Sequence, residues 1–109
     1  MMRTTITARH CELSEALRTR ARDVARRLGQ LSPHALDATL VFDIAPLFHS
    51  VEIRLHARGR KMLKGAGRGP DHRTALDRAE DKLRPQLVKS AEVRQRSRRD
   101  IGQPRQRSQ

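Results

Sequence analysis

Aromatic residues are almost missing from this chain of 109 residues: Phe42 and Phe48 are the only two, with no Trp and no Tyr. That excludes the platform of stacked aromatic rings on which single-stranded bases are usually held. One cysteine, Cys11, excludes an internal disulfide, and with no second Cys or spaced His beside it the residue reads as an ordinary small side chain in a loop. No apolar run approaches the roughly 18 residues needed to span a bilayer. An N-terminal apolar segment of the secretory type is also lacking, so a soluble, cytoplasmic protein without a membrane partner is expected. Acidic residues are few: 12 Asp and Glu face 24 Lys and Arg, a net charge of +12. Such an excess calls for an anionic partner, nucleic acid first, and with so few aromatics the contacts must be to phosphates and shape.

What is present falls into a simple order. Arg3–Arg9 is rich in β-branched residues and fits one strand. Ser14 is a good N-cap for a helix running to about Gln30, with Glu15 in its first turn. Leu13, Leu17, Ala21, Val24, Leu28 and Leu31 line one side of that helix, and Arg18, Arg22 and Arg26 recur every fourth residue on the opposite side. Like charges at that spacing repel by a few tenths of a kcal/mol per pair, which suits a surface that meets phosphates. From Leu36 the period becomes two, giving two antiparallel strands, Leu36–Ile44 and Val51–Arg58. A third, weaker strand covers Lys61–Ala66. Gly65-Ala-Gly-Arg-Gly69 lacks the glycine spacing and the Gly-Lys-Ser/Thr of phosphate-binding loops, so it is expected to be a turn.

The second helix is the stretch from Asp71 to Lys89. Asp71 is its N-cap after a Gly-Pro break; Leu76, Ala79, Leu83 and Leu87 form the buried side; Glu80 and Arg84 are an i, i+4 pair. Arg78, Lys82 and Lys89 gather within about 40° of one another on the far side. Pro85 is expected to kink or restart the helix. Residues 90–109 carry six Arg against Glu92 and Asp100. With little to bury, they are expected to be disordered from about Arg96, leaving one domain over residues 1–95 and a basic tail over 96–109. The five histidines show no metal-ligand spacing, and no nucleophile with a base can be named, so neither a metal, a cofactor nor an enzyme is expected. The order β-α-β-β-β-α predicts an α+β fold, one four-stranded sheet with both helices packed on one face and the other face wet.

Two motifs at this separation resemble one family. Ala75-Leu76-Asp77 followed by Asp81-Lys82-Leu83 and Gln86-Leu87-x-Lys89 is similar to the second helix of the ribosome hibernation-promoting factors, also called ribosome-associated translation inhibitors. Glu12-Leu-Ser-Glu-Ala-Leu-Arg18, with Arg27-Leu28 further on, resembles the family's first helix, and the likeness in order and spacing covers residues 3 to about 94. The resemblance implies a fold related to double-stranded RNA-binding domains. It also implies binding to the small ribosomal subunit and its ribosomal RNA, in the channel for messenger and transfer RNA, so that translation is inhibited in idle or stressed cells. Lys82 and Lys89 match the family's pattern, and Arg84 is suggested by it; at Pro85 the family commonly has a basic residue, and after Lys89 its basic cluster gives way to Ser90-Ala-Glu92.

The RNA-binding residues expected are therefore Arg18, Arg22, Arg26, Arg27, Arg78, Lys82, Arg84, Lys89 and Arg94, the two helices together forming one basic surface. A monomer when free, with no small-molecule substrate and no dimerising second domain, completes the expectation. Two other readings are carried: a general double-stranded nucleic-acid-binding protein, and a protein-binding regulator that uses the exposed sheet face.

Overall fold

A computed structural model describes residues 2–32, 34–59 and 61–102, with the side chains of residue 61 and residues 90–102 outside the description. The elements are β1 (Arg3–Arg9), α1 (Glu15–Leu31), β2 (Ala35–Ala45), β3 (Phe48–Ala57), β4 (Lys61–Gly69) and α2 (His72–Gly102), the order expected. They form one four-stranded sheet in the order β1-β2-β3-β4. β1 runs parallel to β2, with α1 as the crossover, while β2, β3 and β4 are antiparallel neighbours.

The period-two pattern decides which sheet face the helices cover. Ala38, Leu40 and Phe42 of β2 and Val51, Ile53, Leu55 and Ala57 of β3 are buried. Against them pack Ala21, Val24, Ala25 and Leu28 of α1 and Ala75, Leu76, Ala79, Leu83 and Leu87 of α2. These are the apolar stripes of both helices, so helix and strand periodicity converge on one core. The other face stays wet; on it Arg54 Nη2 donates to Glu52 Oε1 at 2.8 Å, with Lys64 Nζ 3.9 Å from Glu52 Oε2. Arg68 lies over the Phe48 ring, 4.7 Å from its centre.

Gly65–Gly69 is strand, not the turn expected. The reason is packing: a Cβ on Gly67 would lie 2.3 Å from the Ala75 carbonyl oxygen and 2.5 Å from the Ala79 nitrogen, and one on Gly65 would lie 2.6 Å from the Ala79 oxygen. Alternate glycines of β4 thus let the backbone of α2 rest directly on the strand, where the small Ala75 and Ala79 face them.

Helix ends follow their caps. Ser14 Oγ accepts from the Leu17 N–H at 3.1 Å, and Asp71 Oδ1 accepts from the Thr74 N–H at 2.7 Å. The Thr74 backbone N–H, then the Thr74 side chain, hold the Asp71 carboxyl below its usual range. His72 opens α2 as a buried residue edge-on to Phe42, and its Nε2 lies 2.8 Å from the Asp43 carbonyl oxygen. A carbonyl only accepts, so Nε2 carries the proton.

At Pro85 the helix continues without the restart expected there. Pro85 is exposed, whereas Leu83 and Leu87 on either side are buried, so core packing carries the helix past the lost hydrogen bond. Gln86 supports the same turn by donating from Nε2 to the carbonyls of Lys64, at 2.8 Å, and Lys82, at 3.2 Å. The boundary expected at residue 95 falls within the assigned span of α2, and residues 103–109 lie outside the description.

Candidate nucleic-acid interface

The cations of the helix layer divide into three groups according to which side of their helix they occupy. On α1, Arg18, Arg22 and Arg26 turn toward the free edge at β1: Arg18 and Arg22 line a groove with Thr4 and Ile6, and Arg22 and Arg26 line another with Met2, Thr4 and Gly29. Arg22 and Arg26 are exposed and Arg18 half-buried. Arg26 donates to Asp23 Oδ1 at 2.7 Å, while neither Arg18 nor Arg22 makes an ion pair with a described residue.

On α2, Arg78 and Lys82 turn the other way, over β4, where they line a groove with Ala66, Gly67, Arg68 and Asp81. Arg78 Nη1 donates to the Arg68 carbonyl at 2.7 Å, which fixes the guanidinium against the strand edge. Lys82 and Lys89 are exposed, and neither pairs with a described acid. β1 and β4 are the two edges of the sheet, so Arg18, Arg22 and Arg26 lie toward one edge and Arg78 and Lys82 toward the other.

Between the flanks lies the seam of the two helices. Arg20 Nη2 donates to Asp77 Oδ1 at 2.9 Å, and its Nε is buried with no hydrogen-bond partner among the described residues. Arg27 donates twice to Glu80, from Nε to Oε2 and from Nη2 to Oε1, both at 3.1 Å. Arg84 Nη2 reaches the same Oε2 at 2.7 Å. The Glu80 side chain is only 6% exposed, against 47% for Arg27 and 46% for Arg84. The hydrogen bonds that Arg27 donates to Glu80 are the main reason it holds its proton more tightly than usual. Arg27 is thus part of the α1–α2 contact as well as of the surface, while Arg84 braces Glu80 from within α2. Arg94 lies on α2 beyond the residues whose side chains are described.

Sequence spacing found the flanks but missed Arg20, Arg68 and the burial of Glu80. Arg68 was hidden in the glycine run, and a carboxylate gives no sequence signal of burial. Other chemistry is not assembled: among the described residues no group of three His, Cys, Asp or Glu could hold a metal ion, and no helix is long and apolar enough to cross a membrane. His49 and His72 do meet, with ring centres 4.6 Å apart, but His72 is committed to Asp43. Cys11 has its thiol pKa raised, chiefly by burial, and lies 3.8 Å from the Phe42 carbonyl. Its side chain packs, partly buried, against the core.

A mixed four-stranded sheet with two helices on one face, and exposed cations on both flanks of the helix layer, defines a small α+β module. The model for the family described as Sigma 54 modulation protein / S30EA ribosomal protein matches residues 4–95, and the chain belongs to that family. Two solved structures are similar in fold. One is a ribosomal subunit interface protein from Coxiella burnetii, 21% identical with a TM-score of 0.75, the match covering 84% of this chain and 98% of that one. The other is the Protein Y N-terminal domain of Thermus thermophilus, 25% identical with a TM-score of 0.71, covering 82% of this chain and 98% of that one. No curated protein matches the chain.

Proposed function

We propose that this protein is a non-enzymatic inhibitor of translation that binds the small ribosomal subunit and occupies the channel for messenger and transfer RNA, as the family resemblance implies. The observation that carries the reading is the pair of basic flanks. Arg18, Arg22, Lys82 and Lys89 of the helix layer have no acidic partner among the described residues, whereas on the wet sheet face Arg54 and Lys64 share Glu52 and the cations without one, Arg3, Arg9 and Arg68, stand on the two edge strands. Lysines and arginines left unpaired on a rigid framework are the groups that gain most from a phosphate. Membership of the family described as Sigma 54 modulation protein / S30EA ribosomal protein supports ribosomal RNA as the source of those phosphates.

Two flanks on opposite edges suit a channel with RNA on both walls better than a single duplex on one side. Arg18, Arg22 and Arg26 hold one wall, Arg78, Lys82 and Lys89 the other, with Arg27 and Arg84 between them and Arg94 continuing along α2. The residues beyond 95 form a basic tail that adds less, and the protein acts in the cytoplasm as a monomer before it binds.

Sedimentation with isolated small subunits, isolated large subunits and an unrelated RNA duplex tests the assignment. Retention with small subunits at a salt concentration that removes the protein from the duplex is expected. Equal retention on duplex and subunit identifies a general nucleic-acid binder, and retention on none of the three returns attention to the sheet face as a protein contact.

A further inference from the structure

Arg27 and Arg84 both bond to one oxygen, Oε2 of Glu80, at 3.1 and 2.7 Å. The two nitrogens therefore cannot be farther apart than the sum of those distances. Two guanidiniums so close repel each other, and the buried carboxylate between them is what makes the arrangement stable. Their remaining donors are not used by the fold. Of the five N–H donors on each guanidinium, Arg27 commits two and Arg84 one, and no other protein acceptor among the described residues takes the rest. Both side chains are nearly half exposed, at the outer rim of the seam. The neighbouring Arg20–Asp77 pair ties the same helices about two turns earlier on α1 and one turn earlier on α2, so the framework under the two arginines is fixed from both helices.

We infer that Glu80 assembles Arg27 and Arg84 into a single phosphate-binding site on the crest between α1 and α2, an inference that rests on the ribosomal-RNA reading for the source of the phosphate. A phosphate carries several acceptor oxygens and can take donors from two planar forks at once, which a pair of ammonium groups cannot imitate. Glu80 is the positioning residue: it touches no ligand and sets the spacing of the two groups that do. The crest is then a third contact between the two flanks, and it differs from them in geometry, being two forks held by one buried carboxylate.

The test uses the full chain and two probes. In the first, inorganic phosphate is titrated against chloride at matched ionic strength while the arginine side-chain resonances are followed by nuclear magnetic resonance. Arg27 and Arg84 should shift together with one midpoint, and the response should vanish in Glu80→Gln and in Arg84→Lys. Separate midpoints, or a response no larger than that to chloride, overturn the site. In the second, small ribosomal subunits are the probe. Glu80→Gln raises the net charge above +12 by one, so charge alone predicts tighter binding. Loss of one locked phosphate contact predicts binding about tenfold weaker. Circular dichroism monitors folding, and Arg84→Lys, which keeps both the charge and Glu80, should show a similar loss. Tighter binding by Glu80→Gln, or unchanged binding by Arg84→Lys, overturns the proposal. A joint phosphate response without any binding to small subunits would keep the site and remove the ribosomal reading, so the two failures are distinct.

Discussion

Replacing Gly67 by Ala should be the most damaging single methyl group that can be added to this protein. The new Cβ would stand 2.3 Å from the Ala75 carbonyl oxygen, 2.5 Å from the Ala79 nitrogen and 2.8 Å from the Arg78 Cβ. Two of those atoms are helix backbone and cannot swing aside. To restore ordinary contact, α2 must retreat from β4 by about 1 Å, a gap that forfeits a quarter to a half of the dispersion attraction along the parted surfaces. Leu76, Leu83 and Leu87 are all seated in that contact. Overpacking of this kind costs about 1–3 kcal/mol, and the restricted unfolded chain returns about 0.4–1 of it. A net loss near 1.5 kcal/mol lowers the melting temperature by roughly 6–12 °C in a domain of this size. Gly29→Ala is the matched control. Its Cβ would meet only the flexible end of Met2, at 3.1 Å, and it removes a helix glycine, so a gain of about 0.5 kcal/mol is expected. Thermal melts of both variants decide the matter. Gly67→Ala as stable as the parent chain would refute direct backbone contact between α2 and β4.

Leu28→Ala empties a fully buried position under α1 and should cost about 2–5 kcal/mol in urea unfolding, whereas Leu47→Ala, 92% exposed, should cost almost nothing. Phe48→Leu removes the ring beneath Arg68 and should lower stability by about 0.5–1 kcal/mol while leaving ribosome affinity unchanged, since the proposed binding is to phosphates and not by stacking. Asp71, held low by Thr74, and Asp43, held low first by the His10 side chain and then by the Ile44 N–H, have folded values beneath their unfolded ones. Their stabilisation is therefore present above the ordinary carboxylate range of about 4 and is lost as pH falls through the folded values. The urea midpoint should drop on that acid limb, and Asp71→Asn, which keeps the cap acceptor without its titration, should flatten it. Deletion of residues 96–109 should weaken ribosome binding less than a double reversal on either helix.

Where two periodicities agreed, the fold was legible in the residues alone. The leucines and alanines of α2, the Ser14 and Asp71 caps and the alternation of β2 and β3 each named an element and its buried side. Gly65–Gly69 was not legible, because glycine is poor in strands on its own account. Its meaning depends on Ala75 and Ala79 lying opposite, a tertiary fact. Pro85 misled for the same reason, since local disfavour was outweighed by Leu83 and Leu87 in the core. The basic stripe of each helix could be read from spacing, but which sheet edge it overlooks could not. Spacing fixes a direction relative to the helix axis, and only the strand order turns that direction into a place on the molecule.

The central claim is that both flanks hold phosphates at once, and the salt dependence of binding to small ribosomal subunits measures it most directly. Six flank cations engaged together predict a slope of log affinity against log salt of about −5. The pair Arg22→Glu and Arg26→Glu, and separately Lys82→Glu and Lys89→Glu, should each make the slope shallower by about 2, with circular dichroism unchanged. A flat salt response in the parent chain, or a slope that one of these pairs leaves untouched, would contradict the account.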